Sequence, residues 1–440
     1  MKTPWQIQSF LLFLFCQTAW SQSFDRMKLD AYFDALTAHQ KFMGSVLVAR
    51  DGKVLYEKSV GFANVENRVE NSGNTQFRVG SVSKTFTAVL VLKAVEQGKL
   101  KLNQPLSDFF KEIKNAEKIT IEQLLRHRSG IFNLTNDTSY FTWHTQPQKR
   151  SVILLKIASY NPVFEPDSKF EYSNSNYILL SYILEDIYKK SFSDLLETFI
   201  VNPLKLKNTQ MGEKQSSQSE AAYSYTYKNG WEKETETDLS FVLGAGGILS
   251  TATDLKIFIR ALFEGKLLEK ESFEIMTTLK ENYGMGLFQL PFYDKKMYGH
   301  TGSIDGFLSI AGYFPDEKIT YIRLCNGLNF NVNDIDITVL SAVFNKPFDI
   351  PSFESIEVSE EVLNQYVGTY SKEGMPMQIT IFKNGKQLMG QATNQQAFPL
   401  EATEKNKFKF DKAGIQVEFF PETKKMILKQ MGLEIPFEKK

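Results

Sequence analysis

Apolar and polar positions alternate over Gly44–Arg50 and again over Lys53–Lys58. These strand-like runs are joined by Asp51-Gly52, a dipeptide that favours a two-residue hairpin. Three more such runs, Tyr298–Ser303, Phe307–Phe314 and Ile319–Leu324, come only after residue 297, punctuated by Ile304-Asp305-Gly306 and Pro315-Asp316-Glu317. Between the two groups the period changes. Ser81–Gln97, Tyr177–Tyr188 and Asp254–Phe263 carry apolar residues at helical spacing, and the first stops at Gly98, as a helix does at a C′ glycine. The pattern predicts an α+β domain: an antiparallel sheet assembled from both ends of the domain, flanked by helices, with a helical subdomain inserted.

Two prolines in Lys346-Pro-Phe-Asp-Ile-Pro-Ser352 mark a linker over residues 347–358, which ends a first domain spanning 22–346. Beyond it the runs shorten to Met377–Ile381, Lys407–Phe410, Ile415–Phe419 and Met426–Leu428, with turn residues such as Asn384-Gly385 and Ala413-Gly414 between them. Evenly spaced short strands predict a small antiparallel meander or barrel over 359–440. At the other end, Lys2, the apolar run Phe10–Cys16 and the small residues Ala19 and Ser21 read as an export signal cleaved near Ser21, residues 1–21. That run is far shorter than the roughly 20 residues a membrane span needs. The polar stretch Gly212–Glu220 reads as a surface loop.

Composition narrows the function classes. The chain has 440 residues, 42% hydrophobic and 23% charged, which is globular and excludes disorder or a collagen-like repeat. Its 51 basic and 51 acidic residues offer no field to attract nucleic acid or anionic lipid. Cys16 and Cys325 are the only cysteines, so a chain cleaved near Ser21 holds one thiol and no internal disulfide.

Chemistry enters at Gly80-Ser81-Val82-Ser83-Lys84. Ser81 is the only serine followed by a lysine three positions on. On a helix beginning there the two share a face, so the amine reaches the hydroxyl and a base activates the serine. The helix start adds free N–H groups where an oxyanion would form. Glu171-Tyr172-Ser173-Asn174 then puts a phenol and an amide on one short turn, a candidate general base and a carbonyl-holding amide. Gly299-His300-Thr301-Gly302-Ser303 lies on a strand whose small residues admit a ligand backbone, and the Ser303 N–H pairs with that of Ser81 as a candidate oxyanion hole. A decoy, Tyr227-Lys228-Asn229, sits in the polar stretch Lys228–Asp238 and reads as an exposed turn. His39, His127 and His144 have no ligand spacing with one another or with Cys325, and no Gly-x-Ser-x-Gly elbow occurs.

Ser-x-x-Lys, Tyr-x-Asn and His-Thr-Gly, in this order, resemble the serine β-lactamase and penicillin-binding superfamily, in its class C-like branch (peptidase family S12). The stretches Leu124–Gly130, Gly244–Asp254 and Tyr283–Leu287 are similar to that branch, and Leu363–Tyr370 looks like the start of its β-rich accessory domain. The resemblance implies an exported acyl-enzyme hydrolase without metal or cofactor: Ser81 the nucleophile, Lys84 and Tyr172 the acid/base pair, Asn174 orienting Lys84 and the acyl amide. His300, Thr301, Gly302 and Ser303 would line the substrate strand. His300 departs from the lysine of most β-lactamases. A mostly neutral imidazole is a poorer partner for a carboxylate, which favours D-amino-acid peptides or related amides and esters. A β-lactamase, a small-ester esterase and a penicillin-recognising protein with little turnover stay open, as do a wall-binding role for the C-terminal domain and the oligomeric state. The partner expected is a small-molecule or peptide substrate, cell-wall-derived ones among the candidates.

Overall fold

The structure, a computed structural model, describes residues 24–212, 221–430 and 433–440. The expected export signal, Cys16 and residues 213–220 of the polar stretch lie outside the described residues. The Asp51-Gly52 turn joins β1 (Phe42–Arg50) to β2 (Lys53–Val60), with both turn residues at positive φ, +49° and +77°. Late in the chain come β3 (Phe288–Phe292), β4 (Lys295–Ile304), β5 (Phe307–Phe314) and β6 (Ile319–Leu328). The main sheet runs β3-β4-β5-β6-β1-β2, every pair antiparallel, so the N-terminal hairpin docks on the C-terminal strands as predicted. Strand β3, which the hydrophobic pattern did not mark, closes the edge of β4 only as far as Gly299. From His300 to Ile304 that edge is unpaired.

Both faces of the sheet are covered. Along β1, Val46 and Val48 join one core while Leu47 and Ala49 join the other, the strand's period of two made visible. Helices α1 (Arg26–Ala38) and α5 (Val332–Val343), both unmarked by the hydrophobic pattern, pack Phe33, Leu36, Ile335 and Val339 into the first core. On the other side lie α2 (Ser83–Glu96), α3 (Asn174–Tyr188) and α4 (Ala252–Phe263), where Phe86 and Phe258 stack with centroids 3.6 Å apart. Helix α2 is apolar nearly all round and is the central rod of the inserted helices, buried from Ser83 to Leu92.

Residues 347–358 form no helix or strand. After α6 (Glu360–Tyr366), eight strands from Gly368–Ser371 to Leu433–Lys439 make a closed antiparallel barrel, the last pairing with the first. Tyr370, Ile381, Phe408, Phe419, Met426 and Phe437 fill its interior. Asp411 of the barrel binds Lys41 beside β1 at 2.8 Å.

Helix α5 is held to the sheet by charge as well as packing. Arg323 on β6, 3% exposed, sets its guanidinium on Asp336 at 2.7 and 3.1 Å and donates to the Leu308 carbonyl. Arg323→Met leaves the Asp336 carboxylate to the Tyr321 hydroxyl alone and should cost about 3 kcal/mol of folding stability, measured by urea denaturation. An unchanged midpoint would mean that packing alone holds α5.

Candidate active site

The turn before α2 is shaped by close backbone approach. Ser309 Oγ on β5 donates to the Val79 carbonyl at 2.7 Å, and Gly80 follows at φ +51°, where a side chain would be strained. A Cβ on Gly80 would stand 2.9 Å from the Ser303 nitrogen, and one on Gly302 would stand 2.1 Å from the Val79 carbonyl oxygen and 3.1 Å from the Ser81 nitrogen. These two glycines let the free edge of β4 lie against the turn. The amides of Ser81 and Ser303 thereby come side by side.

Lys84 follows Ser81 by one turn and is fully buried. Its Nζ lies 3.0 Å from Ser81 Oγ, 2.7 Å from Asn174 Oδ1 and 2.6 Å from the Ala245 carbonyl oxygen, with no carboxylate in contact. Burial therefore drives the amine well below the usual lysine range. A neutral amine has two N–H groups and one lone pair. Once deprotonated, Lys84 would give its two N–H groups to the two carbonyl oxygens and turn its lone pair to the serine hydroxyl 3.0 Å away. Asn174 heads α3, and its orientation is set from behind: its Nδ2 donates to Thr135 Oγ1 at 3.1 Å and its backbone N–H to Asn133 Oδ1 at 3.0 Å. The Asn174 carbonyl is thereby turned to Lys84.

Tyr172 lies with its ring 4.9 Å from Lys84 Nζ. Its hydroxyl is buried with no hydrogen-bond partner among the described residues. Burial pushes this phenol above its ordinary range, opposed by the nearby Ser81 hydroxyl. The phenol therefore holds its proton at rest.

Behind Tyr172 is a dry cluster that sequence reasoning missed. His127, set aside for want of ligand spacing, packs its ring 4.2 Å from that of Tyr172 and accepts the Ser173 N–H at 3.2 Å through Nδ1. It is fully buried at φ +55° and so braces the turn that carries both Tyr172 and Asn174. His300 is also buried, 2% exposed, with Nδ1 donating to the Thr301 carbonyl and Nε2 accepting from Tyr283. Burial lowers this imidazole to about 3. It is neutral across the physiological range.

A cavity of about 610 Å³ opens beside Ser81. Asn174 and Ser303 line it, whereas His300, Thr301 and Gly302 do not. Other lining residues had no sequence signal: Tyr140, Phe141, His144, Phe241, Glu234 and Thr237. Only part of the stretch Lys228–Asp238 is an exposed turn. The decoy at Tyr227 does sit in a small hairpin, Tyr225–Tyr227 against Trp231–Lys233, but from Glu234 the chain returns to the cavity. Thr237 then ties to Asp305 through its N–H at 3.0 Å and its hydroxyl at 2.6 Å.

A family model described as Beta-lactamase matches residues 29–344. The teichoic acid D-alanine hydrolase of Staphylococcus aureus is 25% identical over 311 residues, covering 68% of this chain and 72% of that protein. Among solved structures, the D-stereospecific amidohydrolase of a Streptomyces species superposes with a TM-score of 0.60 at 27% identity, over 68% of this chain and 94% of that one. The octameric penicillin-binding protein homologue of Pyrococcus abyssi superposes with a TM-score of 0.67 at 24% identity over 94% of this chain and all of its own, barrel included; at that identity it speaks for the fold alone.

The Lys84 amine couples folding to pH. Between its lowered value and the ordinary 10.5, the unfolded chain carries a proton on Lys84 that the folded chain does not, so stability rises with pH through this window. Lys84→Met should remove a slope of about 1.4 kcal/mol per pH unit there. Chemical denaturation of both proteins on a pH series up to 10 measures it. Equal slopes would mean that the folded protein holds a charged ammonium.

Proposed function

Because this chain belongs to the beta-lactamase family and is a serine hydrolase of that fold, we propose that it hydrolyses D-configured amides or esters through an acyl-enzyme on Ser81, acting after export from the cell. The observation that carries this reading is the buried Lys84 amine, whose N–H groups face Asn174 and Ala245 and whose lone pair is left to Ser81 Oγ. In the reaction Ser81 Oγ attacks the substrate carbonyl while its proton passes to Lys84 Nζ. The N–H groups of Ser81 and Ser303 receive the developing oxyanion. Tyr172, protonated and without another partner, gives its proton to the departing amine or alkoxide and recovers one from Lys84. Water then releases the acyl group along the reverse proton route, and Asn174 keeps the amine aligned throughout.

The D configuration is supported by two similar proteins, one described as D-stereospecific and one as a D-alanine hydrolase. A scaffold that acylates and barely releases would instead show a burst without steady turnover on D-aminoacyl esters.

Ser81→Ala should fold normally and lose all labelling by a serine-directed phosphonate, read by intact mass. Tyr172→Phe should lower kcat on a D-aminoacyl amide at least ~100-fold, the scale of a lost general acid or base. Tyr227→Phe, in the hairpin away from the cavity, should leave kcat unchanged. Label on another serine, or equal losses at both tyrosines, would overturn the assignment.

A further inference from the structure

The cavity beside Ser81 is asymmetric in charge. Its charged lining residues are Glu234 and Asp305, and among the described residues neither lysine nor arginine lines it. Asp305 is spoken for: its side chain is 3% exposed and meets Arg78 at 3.3 Å as well as Thr237. Arg78 is shared, since it also binds Glu236 at 2.8 Å, so one guanidinium answers two carboxylates. The second oxygen of Glu236 is buried with no donor among the described residues. Glu234 makes no ion pair within 4 Å among the described residues, the Lys228 ammonium, paired to Glu232, acting on it only from farther off, and its backbone is fixed by donation to the Ser224 carbonyl at 2.8 Å. The Lys84 amine bonded to Ser81 and Asn174 does not line the cavity, and burial lowers its affinity for a proton. A net negative field therefore faces whatever enters, within the cavity that holds the nucleophile.

The rest of the lining is aromatic. Tyr140, Phe141, His144 and Phe241 contribute to it, and Phe141 is 77% exposed, with the rings of Tyr140 and His144 beside it. Phe141 thus presents an apolar ring to the cavity mouth, independent of the charge argument.

We infer that the cleft selects acyl donors with a free ammonium group and an apolar side chain, an α-aminoacyl amide or ester, and that Glu234 is the side chain that reads the ammonium. Penicillins and peptides ending in a free carboxylate meet no cation here and are repelled by the same carboxylates, so the site discriminates against them by charge. This inference rests on Ser81 being the nucleophile and deepens the function proposed above.

The test uses three diphenyl phosphonates of one D side chain, bearing a free amine, an N-acetyl or an N-succinyl group, so that the charge runs from positive through neutral to negative. Each reacts by forming a Ser81 Oγ–P bond as phenoxide leaves, with the serine proton passing to Lys84 and on to the phenoxide. The second-order inactivation rate should fall from amine to acetyl to succinyl, with about tenfold between the extremes at low salt and less at high salt. Glu234→Gln should slow the amine probe about fivefold and leave the acetyl probe unchanged, and Glu234→Lys should favour the succinyl probe. A succinyl probe as fast as the amine probe on the unmodified protein, or equal slowing of all three by Glu234→Gln, would overturn the inference while leaving Ser81 as the nucleophile. No label from any probe, or label that survives Ser81→Ala, would remove the nucleophile and this inference with it.

Discussion

An amine buried without a counter-ion is the constraint on which the rest of this molecule turns. Charging Lys84 in its fully buried position would cost several kcal/mol of desolvation with no carboxylate among the described residues to offset it, so burial weakens its hold on a proton. Holding it requires acceptors from two distant parts of the chain, Asn174 and Ala245, 90 and 161 positions away. Their placement explains why α2 is buried on every side. A solvated face would hydrate the amine and restore its charge.

The same economy of water governs the groups around it. His127, Tyr283 and His300 pack against Tyr172 as a low-dielectric backing, and both imidazoles are neutral because burial disfavours their charge. In such a setting the oxyanion hole proposed for the Ser81 and Ser303 amides would act far more strongly than the same dipoles in water. Gly80 and Gly302 make the approach possible, since a methyl group at either would collide with backbone. Negative charge, by contrast, is kept at the cavity rim, on the segment that runs back from the small hairpin. The buried Ser81–Lys84 pair and the carboxylates of Glu234 and Asp305 thus occupy separate regions around one cavity.

Strand periodicity, the Asp51-Gly52 turn and the Gly98 stop are local, and each reappears in the structure where the sequence pattern puts it, as does the closed C-terminal barrel. Helices α1 and α5 and strand β3 escaped that reading, because their burial comes from partners that the local pattern does not name. The amine–serine pair was legible as well, because three residues of helix suffice to bring the two side chains together.

What the sequence by itself determined is therefore the order of the elements and the short-range motifs, Ser81 with Lys84 and Tyr172 with Asn174, since helix and strand geometry fix such neighbours within a few residues. Only the tertiary structure decided the protonation of those groups, the burial of His300 beneath the site and the return of Glu234 to the cavity. Each of these depends on which distant surfaces exclude water, and solvent exclusion is a property of packed elements that no local spacing encodes.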